Sequence, residues 1–234
     1  MQLFYEPEFL QTQCLGEMES KHCVRVLRKK KDDTIHIIDG KGNLIRATIT
    51  SDNPKKCELQ IEEIQADFEK RDYYIHLAIA PTKNMDRIEW CVEKAVELGV
   101  DEISFLKSAN SERSVLKMER IERIVVSAMK QSMKAFMPKL NELQALNQFV
   151  KSCTQSVKLI AHLEDGEKKF ISDYAKPNGD YCIMIGPEGD FSPPEIENAL
   201  NQKFKSVSLG MSRLRTETAG VAVVNELNIL HRTK

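Results

Sequence analysis

Two glycine-bearing segments near the carboxyl end carry the residue types best suited to holding a small ligand. The first is IGPEGDFSPPE, from Ile185 to Glu195. Its turn consists of Ile185, Gly186, Pro187, Glu188 and Gly189, where the glycines allow positive φ or close backbone approach and the proline adds stiffness. The second is LGMSRLRTETAG, which contains Leu209, Gly210, Met211, Leu214, Arg215, Thr216, Thr218 and Ala219. Loops of this kind offer backbone N–H and C=O groups to a small heterocyclic ligand. Neither fits the dinucleotide pattern G-x-G-x-x-G or the phosphate loop G-x-x-x-x-G-K-[ST], so nicotinamide and ATP chemistry lose their usual support. A plainer reading stands beside each. G-P-E-G is a common connecting turn, Arg213 and Arg215 are ordinary surface charges, Thr216 or Thr218 caps the last helix, and Glu217 complements a helix dipole. Co-occurrence tips the balance: both loops follow apolar strands, and the second carries two arginines and a carboxylate that a structural turn does not need.

Basic residues are the second chemical signal. Between Lys107 and Lys139 eight Lys or Arg stand against three acids, and Arg28-Lys29-Lys30-Lys31 forms another run, followed at once by Asp32 and Asp33. Either cluster alone reads as a solvated face. Together, in two parts of the chain, they fit a phosphate-rich polymer, with Arg25, Arg28, Lys29, Lys30, Lys31, Arg113, Lys130 and Lys134 as its candidate contacts. Aromatic residues make up only 6 % of the chain, which leaves Phe4, Tyr5 and Phe136 as candidate stacking platforms. The five histidines lack ligand spacing, and His76 and His162, inside expected strands, read as hydrogen-bonded structural groups. There is no G-x-S-x-G elbow and no H-E-x-x-H helix. The six cysteines form no C-x-x-C pair, so reduced, mostly buried thiols and no metal site are expected.

The chain has 234 residues, 41 % of them hydrophobic, with 34 basic against 35 acidic side chains. Such numbers describe a globular protein large enough for two domains, and the near-zero net charge conceals the local basic excess. No apolar run approaches a membrane span, and MQLFYEPEFL lacks the marks of a signal peptide, so a cytoplasmic location is expected. Before residue 70 the pattern is strand-like. DTIHIIDG and NLIRATIT flank the turn cluster Asp39-Gly40-Lys41-Gly42-Asn43, CELQIEEIQ follows, and a small β-barrel is the expected arrangement. FEKRD, ending at Asp72, reads as a linker. From Tyr73 onward the apolar runs YYIHLAIA, EISFL, VKLIAHL, YCIMIG and SVSLG alternate with helical patterns, including NMDRIEWCVEKAVELG and a basic helix from about Lys117 to Met137. Alternation of this kind predicts a parallel α/β sheet covered on both faces, with ligands outside the carboxyl ends of its strands. In FSPPEIENAL, Ser192 is placed to cap a helix, Pro193 suits its first position and Glu195 completes a capping box.

IGPEGDFSPPEIENA followed by SLGMSRLRTETAGVA resembles the paired carboxyl-terminal motifs of the RsmE family of 16S ribosomal RNA uridine-N3 methyltransferases. The similarity extends, in the same order, to HCVRVLRKKKDDTIHIIDGKG, VEKAVELGVDEI, NSERS at Asn110 to Ser114 and SAMKQSMKAFMP at Ser127 to Pro138. The resemblance implies a PUA-like β-barrel RNA-binding domain over 1–70 and a SPOUT-type methyltransferase domain over 73–234, the latter an α/β fold with a parallel sheet and a trefoil knot. It also implies a homodimer that uses S-adenosyl-L-methionine, held by Ile185 to Gly189 and Leu209 to Ala219, and that acts on 16S ribosomal RNA within the small subunit. The sequence departs from the family at Asp190, where a second glycine is usual; Asp is among the cheaper replacements if that position needs positive φ. Methylating uridine N3 requires taking its proton and aligning the nitrogen. Glu217 is the candidate base, and Arg215 the candidate stabiliser of charge on the flanking carbonyl oxygens. Two alternatives stay open: a SPOUT enzyme acting on another RNA position, a ribose 2′-OH or transfer RNA, and a non-catalytic RNA-binding assembly factor.

Overall fold

A computed structural model describes residues 2–232. The chain forms two compact units, one comprising the residues up to Lys70 together with Val126–Met137, the other Arg71–Val125 and the residues from Pro138 onward.

In the first unit β1 (Leu3–Tyr5), β2 (Thr34–Ile38), β3 (Leu44–Ser51) and β4 (Glu58–Gln65) form one sheet in that order. β1 runs parallel to β2 and the other pairs are antiparallel. Cys14 bridges to Glu58 at the far edge, beside a bond of 2.9 Å from Leu15 N–H to the Cys57 carbonyl. Alternation sends Ile35, Ile37, Ile45, Ala47 and Ile49 to one side, where they meet Phe4, Leu15, Cys57 and Leu59, as well as Phe9 from the short helix α1 (Phe9–Thr12). Because every strand feeds a single core, the unit is a small barrel rather than a two-sided sheet. The β2–β3 turn is set by Asp39, whose buried carboxylate accepts bonds from Lys41 N at 2.8 Å, Asn43 N at 3.1 Å and Asn43 Nδ2 at 2.6 Å. The basic run follows a further helix, α2 (Glu17–Lys21), and the π-helical turn His22–Val26.

The second unit carries a seven-stranded sheet, parallel at every pairing. Its strands are β5 (Tyr74–Ile79), β6 (Glu102–Lys107), β7 (Lys139–Ala145), β8 (Val157–Ala161), β9 (Lys169–Phe170), β10 (Asp180–Ile185) and β11 (Lys205–Ser208), in the order β7-β6-β5-β10-β8-β11-β9. Helices α5 (Leu146–Ser152) and α6 (Pro193–Asn201) cover one face, packing with Ala78, Ile160, Cys182 and Met184. The other face, which carries Leu77 and Ile79, receives α7 (Thr216–Leu230), packed in turn on α3 (Met85–Leu98). Gly220 makes that approach feasible: a Cβ there would lie 2.7 Å from Cys91 Sγ and 3.0 Å from Ile79 Cδ1. The far end of α7 is fastened to the start of the unit. His231 stacks on Tyr73 with centroids 4.4 Å apart, and Asn228 Oδ1 accepts bonds from Arg71 Nη1 at 2.9 Å and Tyr73 OH at 2.6 Å.

The five apolar runs expected as strands are strands, while β7, β9 and α5 carried no signal of their own. The basic helix is shorter than its pattern: α4 runs Met118–Ser132. Met133 turns to φ 60° and Lys134 N–H bonds the Met129 carbonyl at 3.0 Å, a helix-ending geometry. α6 starts as expected, with Glu195 Oε2 accepting from Ser192 N and Ser192 Oγ at 2.9 Å each.

Candidate functional site

A cavity of about 500 Å³ opens at the carboxyl ends of β8, β10 and β11, where an open α/β sheet places its ligands. Of the residues assigned to a small ligand, Ile185, Gly186, Pro187, Glu188, Leu209, Gly210, Leu214, Arg215, Thr216 and Ala219 line it. Gly189, Met211 and Thr218 do not. Gly189 backs onto Asn110, Met211 projects fully into solvent, and Thr218 faces a neighbouring depression. The sequence pattern missed His162, Leu163 and Lys168, contributed by the loop after β8, and Arg87, contributed by α3.

The loops are tied together by side chains whose roles no local motif reveals. Within IGPEGD the left-handed residue is Asp190, at φ 61°, and neither Gly186 nor Gly189 has positive φ; the glycines are there for space. A Cβ on Gly186 would sit 3.2 Å from Asp190 Oδ1, and one on Gly189 3.2 Å from Asn110 Cβ. Asp190 accepts bonds from Leu163 N at 2.6 Å and Phe191 N at 2.8 Å, so one carboxylate fixes two of the loops. Thr216 is not a cap, because the N-cap position is Arg215. Its buried hydroxyl donates to the Gly186 carbonyl at 3.0 Å, joining the two glycine loops. Asn110 Nδ2 donates to the carbonyls of Gly189 and Asp190, each at 3.0 Å. Arg113, a candidate nucleic-acid contact, donates through Nη2 to the Lys83 carbonyl at 2.6 Å, while Lys83 N–H bonds Glu188 Oε1 at 3.1 Å.

Glu217 is buried and is not among the residues that line the large cavity. It lines a second depression of about 340 Å³ with Asp86, Arg87, Trp90, Arg215 and Thr218. Arg87 and Arg215 border both spaces. Glu217 Oε1 lies 3.7 Å from Arg87 Nε, and its buried Oε2 has no hydrogen-bond partner among the described residues. Burial, with Glu217 nearby, pushes the Cys91 thiol up to about 12, so it stays protonated. Burial and then Lys168 hold the His162 imidazole below its ordinary value, while its Nε2 meets Ser206 Oγ at 2.8 Å.

In the first unit Arg25, Arg28, Lys30 and Lys31 are exposed and Lys29 is half-buried. Their loop is tight, with Arg28 at φ 55° and Asp32 at φ 72°. Lys130 and Lys134 are already paired, with Glu19 at 2.6 Å and Glu69 at 3.2 Å. Among the described residues no cluster of three His, Cys, Asp or Glu side chains could hold a metal, and no helix is long and apolar enough to cross a membrane.

Comparison with known proteins agrees with this geometry. Residues 69–228 match the model of an RNA methyltransferase domain, and residues 15–62 that of an RNA methyltransferase PUA domain. The chain is 32 % identical, over 91 % of its length and 92 % of the relative's, to a ribosomal RNA small subunit methyltransferase E from Aquifex aeolicus. A crystal structure of a probable rRNA-methyltransferase from Porphyromonas gingivalis superposes with a TM-score of 0.93 at 40 % identity, covering 99 % of this chain and all of the other. A ribosomal RNA small subunit methyltransferase E from Neisseria gonorrhoeae, solved bound to S-adenosyl methionine, superposes at 0.87 with 29 % identity over 98 % of both chains. With its PUA-like barrel, its parallel α/β sheet and these matches along nearly its whole length, the chain belongs to the RsmE family of RNA methyltransferases.

Proposed function

We propose that this chain methylates N3 of a specific uridine in the 16S ribosomal RNA of the small subunit. In this reading it uses S-adenosylmethionine and works in the cytoplasm as a homodimer whose last segment is threaded as a trefoil knot. The observation that carries the reading is the cavity built by the two glycine loops, in a chain whose Neisseria relative was solved with the same cofactor bound. Its volume suits a ligand of that size. Its lining combines apolar Ile185, Val207 and Leu214 with loop backbone and the charges of Glu188 and Arg213, matching a ligand with a flat, hydrogen-bonding heterocycle and a charged tail. Ile185 to Glu188, Leu209, Gly210 and Leu214 to Thr216 would hold it. When bound, the cofactor supplies a sulfonium methyl carbon, and its transfer leaves the C–S electron pair on sulfur.

The remaining chemistry belongs to the chain. Glu217 takes the N3 proton through its unpartnered Oε2, and Arg215, at the border of both spaces, donates to a uracil carbonyl oxygen where charge gathers. The part over 1–70 binds RNA, with Arg25, Arg28 and Lys29 to Lys31 as phosphate contacts, joined by Lys130 and Lys134 of the same compact unit, and the part over 73–234 transfers the methyl group. The test uses small subunits from a strain lacking the gene, the purified protein and cofactor with an isotopically labelled methyl group, followed by mass spectrometry of the RNA. Labelled N3-methyluridine at one position is the expected product. Label on a ribose, on another base or only on transfer RNA would overturn the assignment, and so would an unlabelled subunit.

A further inference from the structure

We propose that the depression beside the cavity is the subsite for the acceptor base, with Trp90 as its stacking surface and Arg87 and Glu217 reading the uracil edge. This inference rests on the methylation reading above and adds residues that no motif signalled. Trp90 is the only tryptophan of the chain and, although on a packed helix, is 44 % exposed. The platforms suggested by sequence, Phe4, Tyr5 and Phe136, all belong to the first unit, whereas Trp90 lies in the second, in the depression that shares Arg87 and Arg215 with the cavity. An exposed indole beside guanidinium groups is a surface on which a flat heterocycle stacks.

The polar groups match one edge pattern. Uracil presents an N3–H donor between two carbonyl acceptors. The depression brings together one carboxylate, Glu217, whose Oε2 is buried without a partner among the described residues, and two guanidinium groups, those of Arg87 and Arg215. Arg87 Nε lies 3.7 Å from Glu217 Oε1, an ion pair longer than a direct hydrogen bond. In the reaction the N3–H bond breaks and the proton moves to Glu217 Oε2, while the N3 electron pair forms the bond to the methyl carbon. Cytosine, with an acceptor at N3, would face the carboxylate lone pair to lone pair and be rejected. Arg87 and Glu217 thereby determine base specificity as well as position.

Because Trp90 is the only tryptophan, its fluorescence reports on this depression directly. The protein is titrated with short single-stranded RNAs that differ only in carrying uridine, cytidine or N3-methyluridine at one position, and Trp90→Ala and Trp90→Phe are assayed in single-turnover methylation of small subunits. Quenching should be strongest with uridine. Trp90→Ala should slow methylation about tenfold or more, Trp90→Phe should restore most of the rate, and cofactor affinity by calorimetry should stay within about twofold. Quenching indifferent to the base, or Trp90→Ala activity within about twofold of wild type, overturns the proposal. A lower mass for Trp90→Ala in ultracentrifugation also overturns it, by making the depression a contact between copies of the chain. If the wild-type protein makes no N3-methyluridine yet quenching remains uridine-specific, the subsite stands and the reaction assigned above fails.

Discussion

Asp190 holds a left-handed backbone conformation that glycine would adopt without strain, and it keeps that position by accepting bonds from Leu163 and Phe191. Asp190→Gly should preserve the turn but lose both acceptors, lowering stability by about 1–3 kcal/mol. Asp190→Ala should cost about 1 kcal/mol more, because it adds the left-handed penalty. Urea unfolding of the two variants checks the order, and an alanine variant as stable as the glycine variant would sink the account. Thr216→Val leaves the Gly186 carbonyl without its hydroxyl partner, at a cost of about 1–3 kcal/mol. It should also weaken cofactor binding in calorimetry, whereas Thr216→Ser should retain most of both. At this scale the sequence was informative where a residue broke a pattern, as Asp190 does. It was silent on Thr216 and Arg87, whose partners are brought near by the fold from distant parts of the chain.

Among the elements, α4 shows where periodicity misleads. SAMKQSMKAFMP stays amphipathic with no glycine, and its first proline is Pro138, so nothing in the pattern marks the stop at Ser132. Met133→Gly should relieve the φ of 60° and stabilise the protein by about 1 kcal/mol, read as a higher urea midpoint. β7 was hidden for a different reason, because KLNELQA is polar where it joins a row of polar groups. Register places His76 beside Glu102 and Glu102 beside Lys139. Glu102 Oε1 accepts from Lys139 Nζ at 2.9 Å and Asn141 Nδ2 at 2.6 Å, and its Oε2 accepts from Tyr74 OH at 2.9 Å. Burial pushes the His76 imidazole below its ordinary 6.5, although the Glu102 carboxylate pulls the other way. Burial also pushes the Glu102 carboxyl up, but the bonds from Lys139, Asn141 and Tyr74 outweigh it and leave the group below 4.5. Both groups therefore bind protons less readily folded than unfolded, and stability should fall with pH, first below 6.5 and again below 4.5. His76→Gln should flatten the upper limb in thermal melts across the acid range; an unchanged profile would exclude His76 as its source.

For the whole molecule, the alternation of strand-length apolar runs with helical patterns made the α/β architecture legible, and the turn at Asp39 made the barrel so. Nothing local marks the return of Val126–Met137 to the first unit, which is visible only in contacts such as Gly42 N–H to the Ala135 carbonyl at 3.0 Å and Met137 N–H to the Gly40 carbonyl at 2.8 Å. The net charge of −1 likewise conceals an exposed basic loop. Reversing Lys29, Lys30 and Lys31 to Glu should weaken RNA binding and reduce its dependence on salt, while cofactor affinity stays unchanged because the cavity is lined wholly by the second unit. RNA affinity that is unaltered at low and high salt would remove that loop from the interface. Lys130→Glu should in addition lower the thermal midpoint, since it leaves Glu19 facing a like charge. The clasp of Tyr73 and Arg71 on Asn228 and His231 gives these units different histories during synthesis. The first unit has all its residues once Met137 has been made, whereas the second cannot fasten its own beginning until α7 has emerged. A chain stalled on the ribosome before that helix would carry a complete basic barrel and no pocket to serve it.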